Sequence, residues 1–174
     1  MHWIFGYGSL IWRPDFPHSQ SIPARLPGYA RRFWQGSPDH RGYPDKPGRV
    51  VTLTPMAGEE CTGMIFGIED HQVDEIIAML DIRESGGYSR TTAPVVTDDG
   101  RTIEATVYVG LPENPSYLGP DDVEAMARQI AMSHGPSGRN IDYLLELHAA
   151  LARMGHRDAH LEGLVAHLPS ESEP

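Results

Sequence analysis

Apolar and polar positions are patterned differently in the two parts of the chain. The first two-thirds carry short apolar stretches broken by Gly and Pro, whereas the last third carries apolar residues at three- and four-residue intervals. Residues 2–7 form an apolar run ending in Gly, which predicts a short buried strand. Segments 29–35, 48–54 and 62–69 are rich in aromatic and β-branched residues between Pro and Gly, which predicts strands. Segments 89–97 and 102–110 read as a hairpin, because Ile103, Ala105, Val107 and Val109 alternate cleanly after Asp99-Gly100, a pair suited to a tight turn. Helical spacing appears four times. Val73, Ile76, Ile77 and Leu80 stand at i, i+3, i+4, i+7, with Asp70 as the expected cap. Val123, Met126, Ala127 and Ile130 repeat the pattern after Pro120 and Asp121. Ile141, Leu144, Leu145, His148 and Leu151 do so after Asn140, ending at Gly155. Leu161, Leu164, Val165 and Leu168 predict a last helix that begins near Asp158 and stops at Pro169.

Strands first and helices last argue for an α+β fold with a mainly antiparallel sheet or small barrel, not for alternating βαβ units. The 174 residues suffice for one compact domain. We assign residues 1–169 to it and read the SESEP tail, 170–174, as disordered. There is no internal repeat, low-complexity tract or linker.

Charge narrows the partners. A formal net charge of −10 argues against nucleic acid, whose binding is driven by Lys and Arg, and against an anionic membrane surface. Residues 25–49 run the other way, with Arg25, Arg31, Arg32, Arg41, Lys46 and Arg49 against Asp39 and Asp45. Such a stretch can serve an anionic small ligand, although most of these six are expected as solvated side chains on loops and strand edges. No apolar run approaches the ~20 residues of a membrane span. The N-terminus lacks the basic region of a signal peptide, and the lone Cys61 allows no internal disulfide, so the expected location is the cytosol.

Two places carry candidate chemistry. The first is Phe5-Gly6-Tyr7-Gly8-Ser9-Leu10, directly after the first strand. Its glycines let the backbone turn sharply and approach a ligand, and successive free N–H groups there can hold a carboxylate or a developing oxyanion. The alternative is simply a tight turn. It lacks the third glycine and following amphipathic helix of a dinucleotide fingerprint, and it has no Gly-Lys-Ser/Thr of a phosphate loop. Ser9 has no G-x-S-x-G elbow around it, which excludes a serine hydrolase of that type.

The second place is Leu80-Asp81-Ile82-Arg83-Glu84-Ser85-Gly86-Gly87-Tyr88. Continuing the preceding helix puts Glu84 one turn beyond Leu80 on the apolar stripe, where a carboxylate is costly unless paired or used. Gly86-Gly87 then end the helix. A partly exposed glutamate paired with Arg83 or Arg90 is the other reading. His156, His160 and His167 do not form a ligand set with metalloprotease spacing and are expected on the surface, so no metal and no cofactor is assigned. Cys61 is expected to be buried and inert, and Trp3, Trp12, Phe33 and Trp34 to line the core or a pocket.

Taken together, these segments resemble the ChaC-type glutathione-specific γ-glutamylcyclotransferases. The likeness runs from Trp3 to about Leu164 and rests on FGYGSLIW (5–12), RRFWQGS (31–37) with DHRG (39–42), PGRVVTL (47–53), LDIRESGGY (80–88), NPSYLGP (114–120) and GPSGRN (135–140), all in the family's order. Departures are Ile82, where an aromatic is usual, and Ser85, where Lys is common. The resemblance implies a compact mixed, mainly antiparallel barrel with flanking helices, and an enzyme that cyclises the γ-glutamyl group of glutathione to 5-oxoproline and releases Cys-Gly. It implies that Glu84 is the catalytic acid–base and that Ile4, Phe5, Gly6, Tyr7, Gly8, Ser9 and Leu10 bind the γ-glutamyl group. Arg41, Tyr88 and Tyr143 are candidates for contacts further along the substrate, each with an ordinary packing role as the alternative. Two rivals stand beside this: a cyclotransferase for γ-glutamyl amino acids generally, and a non-catalytic module that binds a small anionic ligand.

Overall fold

The computed structural model describes residues 1–169, and its centre is a closed five-stranded barrel in the order β1-β3-β2-β4-β5. The strands are β1 (His2–Gly6), β2 (Gln20–Ser37), β3 (Gly48–Ile68), β4 (Tyr88–Thr97) and β5 (Thr102–Gly110). Neighbours are antiparallel except β1 and β5, which meet in parallel at Ile4 and Thr106 and close the barrel. The predicted hairpin is β4–β5, with Gly100 at a φ of +84° in its turn.

Three expected strands prove to be parts of two longer ones. Segment 29–35 lies inside the 18-residue β2, and segments 48–54 and 62–69 are both parts of the single 21-residue β3. The Pro and Gly residues that seemed to end them instead sit at a bulge, where the register slips between Pro27 and Tyr29 and Gly28 takes a φ of +79°. A bulge admits these residues without ending the ladder.

Four helices flank the barrel: α1 (Val73–Arg83), α2 (Val123–Met132), α3 (Asn140–Arg153) and α4 (Ala159–Ala166). A two-residue ribbon, β6 (His134–Gly135) with β7 (Gly138–Arg139), leads into α3. Asp122 and Asp158 cap α2 and α4 through their carboxylates. Asp70 does not cap α1. It lies in a short 3₁₀ turn ahead of the helix, and its carboxylate meets the Met1 ammonium at 2.6 Å. Asn140 is the first residue of α3 rather than a cap before it. Its buried amide clamps the backbone of Arg49, accepting from N–H and donating to C=O, both at 2.7 Å.

Because successive strand residues point to opposite faces, β1 divides the core. Phe5 faces the barrel interior with Leu26, Phe33 and Ile65, which continue into Leu144, Leu147 and Leu161 of the C-terminal helices. Ile4 faces outward into a second cluster with Leu10, Phe66, Ile76 and Leu80, covered by α1. Burying Ile76 and Leu80 contributes about 1.5–3 kcal/mol each and fixes where α1 ends.

Three surface expectations are corrected. Arg31 and Arg49 are buried, because partners remote in sequence use their donors. Of the six basic residues in 25–49, Lys46 alone is exposed. His160 is half-buried and accepts a hydrogen bond from the Phe33 N–H at 3.0 Å. Cys61 is buried as expected, but Arg31 lies 3.4 Å from its sulfur, a basic partner that nothing near it in sequence announced. The tail 170–174 lies outside the described residues.

Candidate active site

A cavity of about 370 Å³ opens between the end of β1, the end of α1, the β2–β3 connection and α3. It brings together Phe5, Gly6, Tyr7, Gly8, Ser9 and Leu10 with Glu84, and adds Asp39, Arg41, Tyr88 and Tyr143. Ile4 is the exception. The alternation of β1 turns its side chain into the cluster under α1, and it is not part of the cavity wall.

The loop after β1 is shaped by its glycines and by Arg31. A side chain on Gly8 would start 2.8 Å from Val51 Cγ2 and 3.0 Å from the Tyr143 hydroxyl. One on Gly6 would start 2.7 Å from Leu10 Cβ. Ser9–Ile11 then form a 3₁₀ turn, and the first N–H groups of such a turn have no partner within it. Behind the loop, Arg31 Nε donates to the Tyr7 carbonyl at 2.8 Å. In a trans peptide C=O and N–H point in opposite directions, so this bond turns the Gly8 N–H away from the barrel interior. Tyr7 OH donates to the Tyr108 carbonyl at 2.6 Å.

Glu84 ends α1 and is followed by Gly87 at a φ of +112°. That turn is held from behind by a reciprocal amide pair. Gln35 Nε2 donates to Asn114 Oδ1 and Asn114 Nδ2 to Gln35 Oε1, both at 3.0 Å, while Gln35 Nε2 also reaches the Gly86 carbonyl at 3.3 Å. A side chain on Gly87 would collide with both amides. Burial pushes the Glu84 carboxyl above the ordinary glutamate range. Arg83, at 3.6 Å, pulls it down, and Asp39 pushes it up. Arg83 also donates to Ser9 Oγ at 3.0 Å, which ties the helix end to the loop. Arg90 pairs with Asp81 rather than with Glu84.

Four tyrosines line the wall, Tyr7, Tyr88, Tyr108 and Tyr143, and burial holds Tyr7, Tyr88 and Tyr143 strongly in their neutral form. Tyr88 OH donates to the Val51 carbonyl at 2.6 Å, and Tyr143 OH faces the Val51 N–H at 3.5 Å. Cys61 is not in the cavity, and burial pushes its thiol up. Among the described residues no group of three or more His, Cys, Asp or Glu is placed to hold a metal ion. No described helix is long and apolar enough to cross a membrane.

Sequence reasoning did not find the supports of this site: Arg31, Gln35, Asn114 and Asn140. Each acts on a partner far away in the chain. All four lie in segments that the family resemblance includes (31–37, 114–120 and 135–140), but nothing in those segments announced which partners they hold.

A closed barrel of this order, with a carboxylate at a helix end facing a strand-to-turn loop, defines a γ-glutamylcyclotransferase-like fold. A solved structure described as a gamma-glutamyl cyclotransferase shares that fold, with a TM-score of 0.61 over 99% of this chain and 91% of its own at 17% identity. Nearer matches are more specific. A family model described as "ChaC-like protein" matches residues 2–171. The crystal structure of a yeast γ-glutamylcyclotransferase specific to glutathione superposes with a TM-score of 0.89, covering 99% of both chains at 30% identity. Gamma-glutamylcyclotransferase 2-3 of Arabidopsis thaliana is 42% identical, over 98% of this chain and 92% of its own. Glutathione-specific gamma-glutamylcyclotransferase 1 of Homo sapiens is 44% identical, over 94% of this chain and 76% of its own. The chain belongs to the ChaC-like family.

Proposed function

We propose that this protein is a glutathione-specific γ-glutamylcyclotransferase, which converts glutathione to 5-oxoproline and Cys-Gly. The observation that carries the reading is Glu84, a partly buried carboxylate with a raised pKa, sharing one cavity with the glycine loop Phe5–Leu10. The names of the relatives from yeast and Homo sapiens support the substrate.

Glutathione carries its nucleophile and its electrophile in one residue. Attack of the α-amino nitrogen on the γ-carbonyl carbon closes a five-membered lactam, and the tether supplies the proximity that a covalent enzyme intermediate would otherwise provide. The Glu84 carboxylate takes a proton from the α-ammonium, and the freed amine forms the new C–N bond. The oxyanion so formed lies against the backbone N–H groups after Tyr7, which the Arg31 bond to the Tyr7 carbonyl holds in orientation. Glu84, now protonated, gives its proton to the cysteinyl nitrogen, and the old C–N bond breaks. The attacking nitrogen starts with three protons and keeps one in the lactam. Two protons therefore pass to the leaving amine, and one carboxylate can carry both in succession. No water is consumed.

Loop residues Phe5, Gly6, Tyr7, Gly8, Ser9 and Leu10 hold the γ-glutamyl group in this reading, while Ile4 supports the loop from the opposite face of β1. Residues 1–169 act as one domain, and the reaction belongs to a reducing compartment such as the cytosol, where its substrate is abundant as the thiol.

The test is direct. Purified protein incubated with glutathione releases 5-oxoproline and Cys-Gly in equal amounts, while γ-Glu-Ala is turned over at least tenfold more slowly. Absence of 5-oxoproline from glutathione overturns the reading. Equal turnover of γ-Glu-Ala replaces it with the broader cyclotransferase, the reading that the name of the Arabidopsis thaliana relative would favour.

A further inference from the structure

The cavity wall holds three arginines, and their partners differ. Arg13 pairs with Asp15 at 3.3 Å, and Arg83 lies 3.5 Å from Asp15 and 3.6 Å from Glu84. Arg41 has no carboxylate within 4 Å among the described residues. Its Nη1 donates to the Arg139 carbonyl at 3.0 Å, and among the described residues Nε and Nη2 donate to nothing. This guanidinium is half-buried, and its position is fixed. Its carbon stands 5.7 Å from the centre of the Tyr143 ring, and its backbone N–H donates to Ser37 Oγ at 2.9 Å. It also stands apart from the acid, since the charges that move Glu84 are those of Arg83 and Asp39. A cation taken partly out of water, set over an aromatic ring on the cavity wall and left with two donors unused by the described residues is built to receive an anion.

Resting on the cyclotransferase reading, we infer that Arg41 is the specificity residue for the far end of the substrate. It receives the C-terminal carboxylate of the leaving dipeptide, with Tyr143 stacked beneath it. The γ-glutamyl end carries the reacting groups and lies with Glu84 and the glycine loop. The substrate class is thus a γ-glutamyl dipeptide-length chain with a free C-terminal carboxylate. The site checks length and terminal charge, not the thiol.

The experiment is a two-by-two comparison of kcat/KM, using wild type and Arg41→Gln with glutathione and with glutathione whose glycine carboxylate is an amide. Melting curves of both proteins verify the fold, which a half-exposed side chain on a connection should not disturb. A charge-assisted bond to a carboxylate leads us to expect a loss of roughly 10–100-fold. Wild type should lose that factor on the amide. Arg41→Gln should lose it on glutathione, mostly in KM, and should treat glutathione and the amide alike within about threefold. An equal fall on both substrates in Arg41→Gln would assign Arg41 to the glutamyl end and overturn the inference. So would wild-type indifference to the amide. Failure of wild type to release 5-oxoproline from glutathione at all marks failure of the underlying reading, and the inference falls with it.

Discussion

Arg31 in the barrel interior and Glu84 in the cavity are both ionisable side chains withdrawn from water, and the fold treats them in opposite ways. The Arg31 side chain is 1% exposed, and its donors are taken up by the Tyr7 carbonyl, Asp158, Cys61 Sγ and the Thr62 carbonyl. The Glu84 side chain is 18% exposed and accepts no hydrogen bond from any described residue, with Arg83 at 3.6 Å its nearest ionic neighbour. A charge that is satisfied on every side is fixed and inert. A charge that is buried and left short of partners has a displaced pKa and can exchange a proton. Burial alone therefore does not mark a functional residue; unmet hydrogen-bonding capacity does.

The comparison breaks most visibly at Glu84. Glu84→Gln should keep glutathione binding by calorimetry and lose ~10²–10⁴-fold in 5-oxoproline release, or more, because in the proposed mechanism one group serves both proton transfers. Its melting temperature should hold or rise, since the raised pKa means that the ionised side chain costs stability near neutrality. For the same reason the wild-type rate should fall, as pH drops, at a higher pH than an ordinary glutamate would set. Turnover within a few-fold of wild type would make Glu84 structural.

Gly8→Val should abolish detectable glutathione binding by calorimetry, because its Cβ would start 2.8 Å from Val51. Arg31→Met should act on stability instead, costing on the order of 3 kcal/mol by leaving Asp158 and two carbonyls without their donor. A fall in melting temperature on the order of 10 °C would register it.

His160 gives a third outcome for a buried ionisable group. Burial pushes its pKa down to about 4 while its ring accepts from Phe33 N–H. The unfolded chain binds that proton near pH 6.5 and the folded chain does not, so this stability is complete above about pH 6.5 and is lost progressively as pH falls toward 4. Between pH 7 and 5 the loss is roughly 2 kcal/mol. Thermal melts of wild type should show that slope, and those of His160→Gln should lose most of it. The smallest effect is expected at Ser9. Its hydroxyl only accepts from Arg83, so Ser9→Ala should stay within roughly fivefold of wild-type turnover, less than a general acid–base group contributes. Complete loss with a normal melt would restore a covalent role for the serine.

Much of this was legible in the residues, and the division has a physical cause. The β4–β5 hairpin and the four helices follow from local periodicity and turn chemistry, which neighbours in sequence enforce. Glu84 stood out because an acid extended an apolar stripe. The continuity of β2 and β3 was hidden, since Pro27, Gly28 and Gly58 read as breaks until a bulge accommodates them. The buried arginines were misread for a related reason. A guanidinium looks solvated until its acceptors are known, and those of Arg31 come from residues 7, 61, 62 and 158. The resemblance grouped Ile4 with the loop, while the two-residue period of β1 sends its side chain to the other face.

The same arginine bears on biosynthesis. Arg31 holds the Tyr7 carbonyl, but its carboxylate partner, Asp158, stands at the start of the last helix, 127 residues further along the chain. A nascent chain emerges from the ribosome N-terminus first, and by residue 157 every side chain of the cavity wall has been made. The clamp that shapes the loop is still incomplete at that moment. A fragment ending before Asp158 would thus carry every side chain of the cavity wall, with Arg31 deprived of its carboxylate partner behind the loop.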